Sequence, residues 1–105
     1  MLTGRFNENT RFPESDDRSV FMHGKLLKKR TSIVETIKKK FELSNEELII
    51  FSLNYLLSDL KVSTIIPGAT SPSQMKTNLK VVSADRFSQE QFEEIYTFSK
   101  EINVN

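Results

Sequence analysis

The stretch Val62-Ser-Thr-Ile-Ile-Pro-Gly-Ala-Thr-Ser-Pro-Ser-Gln-Met-Lys-Thr-Asn78 decides how the rest of the chain is read. Val62–Ile66 is short, rich in β-branched residues and halted by Pro67-Gly68. That is a strand's composition, because branched side chains suit a pleated surface and proline cannot donate to a ladder. Ser71-Pro72-Ser73-Gln74 then opens a helix. Ser71 suits the N-cap, Pro72 the first helical position, and Gln74 completes a capping box. The spacing of Met75, Leu79 and Val82 predicts that they form the helix's buried stripe.

Working upstream, Ser44 and Glu47 form another capping box. The run LIIFSLNYLLS that follows, Leu48–Ser58, is apolar on most of a helix circumference and is expected to be covered from several sides. Before it, Lys25–Phe41 has Leu26, Leu27, Arg30, Ile33, Val34, Ile37 and Phe41 on one helical face. The rest of the segment is basic: with Arg30 at the edge, Lys25, Lys28, Lys29 and Lys38–Lys40 stand against the single acid Glu35. The first stretch, residues 1–24, has scattered apolar positions among Asn, Asp, Ser, Pro and Gly, and reads as a long loop. Downstream, Ser88 and Gln91 cap a last helix with Phe92, Ile95, Tyr96, Ser99 and Ile102 inward. Phe41, Phe51, Phe92 and Phe98 read as core.

The order is therefore loop, helix, helix, strand, helix, helix. A strand between helices belongs to a parallel α/β sheet. Leu2-Thr3 and Ser19–Met22 are too short and weakly patterned to be its neighbours. One strand cannot make a sheet, so it is expected to pair with another chain or to belong to a larger protein.

Composition narrows the chemistry. At 105 residues the chain has room for one small domain. Fifteen basic against fourteen acidic residues give a net charge of +1, no general case for nucleic acid or an anionic membrane. The absence of cysteine removes disulfides, thiolate metal sites and thiol nucleophiles, and one His, His23, leaves no His-based zinc site. Hydropathy shows neither a membrane span nor a signal-peptide core, so a cytoplasmic protein is expected.

Three separate motifs resemble the aldo-keto reductase family. Val62–Asn78 is similar to its V-x-x-x-I-P-G-A-x-x-x-x-Q-x-x-x-N run at the eighth strand and following helix of a (β/α)8 barrel. Leu2–Phe6, LTGRF, resembles L-T-G-[KR]-[FY] after the seventh strand. Phe12–Ser19, FPESDDRS, resembles the P-x-x-D-x-R-S loop beyond it. The Glu46–Ser58 helix sits where the family has A-L-x-W-L-L-S. The likeness spans residues 2–98 and covers only the family's C-terminal third. The fold it implies is α/β: a C-terminal fragment of a TIM barrel, mostly helical with one clear strand, with residues 1–24 as a loop and 25–105 as helices and the eighth-strand equivalent.

The resemblance also implies a function, NADP-dependent carbonyl reduction or alcohol oxidation. The family's catalytic Asp, Tyr, Lys and His lie on earlier strands, and no residue here matches them; His23, Tyr55 and Tyr96 lie outside any catalytic motif. The part implied is the cofactor's adenosine-phosphate site, with Gly68, Ala69, Thr70, Ser71, Gln74 and Asn78 as binding residues. Backbone N–H groups of Ala69, Thr70 and Ser71 at a helix start suit an anion, and Gln74 and Asn78, four apart, share a face. Many members place Arg or Lys where Thr70 stands, and a neutral contact to phosphate is weaker. Arg5 and Arg18 fall in motifs that in the family lie near the cofactor's pyrophosphate and the active-site rim. The chain alone is expected to lack activity, to bind NADP weakly, and to be marginally folded or self-associating. The alternative is a non-catalytic interaction module that docks on a complementary barrel half. A third possibility, a small basic nucleic-acid binder, rests only on the Lys25–Lys40 face, which lacks interleaved aromatics.

Overall fold

The computed structural model describes residues 2–103. In chain order the helices are α1 (Arg18–Phe21), α2 (Gly24–Phe41), α3 (Asn45–Ser58), α4 (Pro72–Leu79) and α5 (Gln89–Asn103), with a 3-10 turn at Lys80–Ser83. The chain divides into two compact units, Met1–Leu48 and Ile49–Asn105.

In the first unit α2 carries the core: Leu27 and Val34 are buried, with Met22 from the loop before it and Leu48 from the start of α3. Thr31 is buried among them, satisfied by donating its hydroxyl to the Leu27 carbonyl at 3.0 Å. α2 ends in a left-handed residue, Glu42 at φ 54°, and the N–H groups of Glu42 and Leu43 both return to the Lys38 carbonyl. The 6→1 bond from Leu43 and the 5→1 bond from Glu42 close the helix around a left-handed residue, a position that glycine usually occupies. Lys38–Lys40 sit in the last turn, where the helix dipole favours cations. The expected capping box at α3 forms in both directions: Glu47 N–H donates to Ser44 Oγ at 3.1 Å and Ser44 N–H to the Glu47 carboxylate at 2.7 Å. Residues 2–17 are turns and irregular chain as expected, but Arg18–Phe21 within the expected loop forms a helical turn.

The second unit is organised by a polar side chain. Asn54 is only 4% exposed; its Nδ2 donates to the Asp85 carbonyl at 2.8 Å and its Oδ1 accepts from Arg86 at 2.7 Å. Ser58 Oγ donates to the Asn54 carbonyl and accepts the Phe87 N–H, so the 84–88 loop is fastened to α3 at several points. Phe51 packs edge-on against Phe87, and Tyr55 stacks on Phe92 with centroids 4.7 Å apart. α5 starts with the expected Ser88–Gln91 box and buries Ile95, but Tyr96 is exposed.

Three expectations are corrected. No strand occurs among the described residues: Val62–Ile66 is irregular chain, because a parallel strand exists only through bonds to neighbours and this chain supplies none. Met75, Leu79 and Val82 are not the buried stripe of α4 but are 45%, 57% and 70% exposed. The buried positions are Asn78 and Val81, each one residue earlier than the latter two, since Asn78 is drawn inward by a hydrogen bond that hydropathy does not count. The apolar circumference of Leu48–Ser58 is mostly half-covered, and Leu56 is exposed.

Candidate cofactor-phosphate site

The irregular segment ending at Ala69 leads directly into α4. Ser71 caps that helix, its Oγ accepting the Gln74 N–H at 3.2 Å. Gln74 does not return to Ser71; its Oε1 accepts the Thr70 N–H at 2.7 Å and the Thr70 hydroxyl at 3.0 Å. Asn78, one turn further on, donates Nδ2 to the Gly68 carbonyl at 3.1 Å. Both amides on the shared face thus hold the Gly68–Ser71 loop in place. Of the three N–H groups expected to be open, that of Thr70 is taken by Gln74. Those of Ala69, Ser71 and Ser73 have no hydrogen-bond partner among the described residues. A Cβ at Gly68 would meet nothing within 4 Å, so the backbone there is open to close approach. Orphan N–H groups at a capped helix start, beside an unobstructed glycine, fit a phosphate.

Arg5 and Arg18 lie in the first unit, around Phe6. Their guanidinium carbons stand 5.3 and 5.7 Å from the Phe6 centroid, and Arg18 also lies 4.6 Å over Phe12. Asp16 grips Arg18 along one edge: Nη2 donates to Oδ2 at 2.6 Å and Nε to Oδ1 at 3.0 Å. The Arg18 N–H also donates to Asp16 Oδ1, at 2.9 Å. The bonds from Arg18, side chain first, hold the Asp16 carboxyl down at about 2, and Asp16 in turn raises the Arg18 pKa. Asp16, Phe6 and Phe12 were not singled out in the sequence. The available signal was Asp-x-Arg, because Asp readily bonds the backbone two residues on.

His23 is exposed at the start of α2. The Tyr55 hydroxyl is pushed up, first by burial and then by Tyr96 and Asp59, while Tyr96 faces the Lys100 ammonium at 4.4 Å. Among the described residues no group of three His, Cys, Asp or Glu could hold a metal. No helix there is long and apolar enough to cross a membrane.

A β-branched segment therefore leads through an open glycine into a capped helix start. The chain belongs to the Aldo/keto reductase family, whose model matches residues 1–100. Membership gives the chain a TIM-barrel origin and accounts for a strand-like sequence between helices. No curated protein and no solved structure matches it significantly.

Proposed function

We propose that this chain supplies the adenosine-phosphate end of an NADP site in a carbonyl-reducing barrel, and that alone it performs no hydride transfer. The observation that carries the reading is the loop Gly68–Ser71, tied down by Gln74 and Asn78 in front of the Ser71-capped α4. Membership in a family that typically uses NADP(H) supports it. Ala69, Ser71 and Ser73 would donate N–H groups to the 2′-phosphate, while Gln74 and Asn78 keep those donors aimed. The cofactor, when bound, supplies the hydride. This chain's residues contribute binding and orientation, because no donor here matches the family's catalytic acid.

A titration followed by NMR tests the reading. With 2′,5′-ADP, shifts are expected at Gly68–Asn78 with millimolar affinity, since each exposed dipole contact contributes only about 0.3–1 kcal/mol. Equal shifts with 5′-AMP, or shifts elsewhere, would remove the cofactor reading. NADPH-dependent reduction of an activated aldehyde by the pure chain would contradict the inactivity.

A second reading is an interaction module docking on a complementary barrel part. Leu60 and Ile66, 97% and 95% exposed, favour it, together with the open Met75–Leu79–Val82 stripe. A sharp, concentration-independent melt of a monomer would count against it.

A further inference from the structure

The net charge of +1 conceals two helix faces of opposite sign. On α2, Lys25, Lys28, Lys29, Ser32, Thr36 and Lys39 follow one another at helical spacing and are all exposed. Four lysines thus run along one face with only hydroxyls between them. On α5, Glu90, Glu93, Thr97 and Glu101 are likewise exposed on one face. Lys28 meets Glu8 at 3.6 Å, whereas Lys25, Lys29 and Lys39 make no ion pair among the described residues. Nor do Glu90 and Glu101, and Glu93 accepts only a neutral amide, that of Gln89, at 2.8 Å. Like charges one turn apart repel, Lys25 with Lys29 and Glu90 with Glu93, and each face keeps that repulsion until opposite charge is laid against it.

We infer that the basic face of α2 docks on the acidic face of α5 in a second copy of this chain. Charge complementarity names the occupant, because the sequence that carries one face also carries its counterpart. The spacing agrees as well: Lys25, Lys28, Ser32 and Thr36 stand at the same intervals as Glu90, Glu93, Thr97 and Glu101. None of these residues belongs to the proposed cofactor site, so the inference stands apart from that reading. Exposed ion pairs are individually weak, so several form together and the dissociation constant at low salt is about 1 mM.

Sedimentation and NMR of the full chain across that concentration, at ionic strengths of about 0.01 and 0.15 M, test the inference. At the lower salt the apparent mass should rise with concentration, with amide shifts along α2 and α5. At the higher salt, where screening acts within about 8 Å, both should fade. Lys25→Glu with Lys29→Glu, and separately Glu93→Lys with Glu101→Lys, should each weaken self-association at least about tenfold, and mixing the two variants should restore association. Lys61→Glu with Lys76→Glu changes net charge as much as the first pair but lies off both faces, and should leave association as it is. A monomer at all concentrations, association that salt does not weaken, or an equal loss in the Lys61 and Lys76 variant would each overturn the inference. So would salt-sensitive shifts independent of concentration, which mean closure within one chain, or a larger species abolished by nuclease, which gives the α2 face to nucleic acid. If a charge-reversed variant fails to fold, the salt and concentration dependence of the wild-type chain still decides.

Discussion

Gln74 Oε1 accepts both donors of Thr70, the N–H at 2.7 Å and the hydroxyl at 3.0 Å, so one amide oxygen sets the conformation of the loop before α4. An acceptor is needed there, and a carboxylate serves as well as an amide. Gln74→Glu should therefore keep the fold, with a melting free energy within about 0.5 kcal/mol of the parent. It should also place a negative charge where the 2′-phosphate is proposed to sit, and abolish any preference for 2′,5′-ADP over 5′-AMP. Retained preference in the titration would show that the phosphate lies elsewhere.

Thr70→Arg tests the same site with the opposite charge. It keeps the N–H that Gln74 accepts and adds a fork that phosphate can meet. Binding of 2′,5′-ADP should tighten, and the gain should shrink as ionic strength rises from about 0.01 to 0.15 M. A gain that salt does not touch would point to packing, not charge.

Glu42 offers a stabilising substitution. At φ 54° a side chain costs about 1–2 kcal/mol that glycine avoids, and glycine gives back about 0.4–1 kcal/mol through unfolded-chain entropy. A carboxylate at a helix C-terminus is also unfavourable against the dipole. Glu42→Gly should stabilise the first unit by roughly 0.5–1 kcal/mol in chemical denaturation.

Gly4 is the reverse case. Its φ is +67°, and a Cβ there would run into the Asn45 side chain at the start of α3. Gly4→Ala should cost more than about 1 kcal/mol. Part of that cost should vanish in an Asn45→Ala background, because shortening Asn45 removes the clash but not the backbone strain. Full additivity of the two substitutions would show that the clash is not felt.

The Asp16–Arg18 pair has a defined acid window. A carboxyl whose folded pKa is lowered to about 2 contributes stability that is complete above its ordinary unfolded value of 3.8 and is lost as pH falls through about 2. Carbon-13 titration of the Asp16 carboxyl should show a midpoint near 2, and Arg18→Ala should return it towards the ordinary value. A wild-type midpoint at the ordinary value would dissolve the pair.

Helices were legible from the sequence because capping is local: Ser44 with Glu47, and Ser88 with Gln91, close within a single turn as their spacing requires. The Ser71–Gln74 box was half legible, since which backbone N–H the amide meets depends on the loop in front of it. Faces were harder. Hydropathy placed Met75, Leu79 and Val82 inward, whereas Asn78 and Asn54 are the buried residues, each fixed by partners ten or more positions away. Periodicity carries no information about such bonds. Val62–Ile66 failed as a strand for a related reason, because strand propensity is realised only against a neighbour.

That unpaired segment bears on how the chain behaves when concentrated. Val62–Ile66 carries no charge and is rich in β-branched residues, the composition that stacks into fibrils. It is bracketed by Lys61, a charge, and Pro67, which has no N–H to offer a growing sheet. Such residues act as gatekeepers, and between them only five positions remain, short of the six or seven that a steric zipper uses. The proline that ends the would-be strand therefore also limits its misuse, and its replacement would lengthen the uncharged run towards the length that a zipper uses.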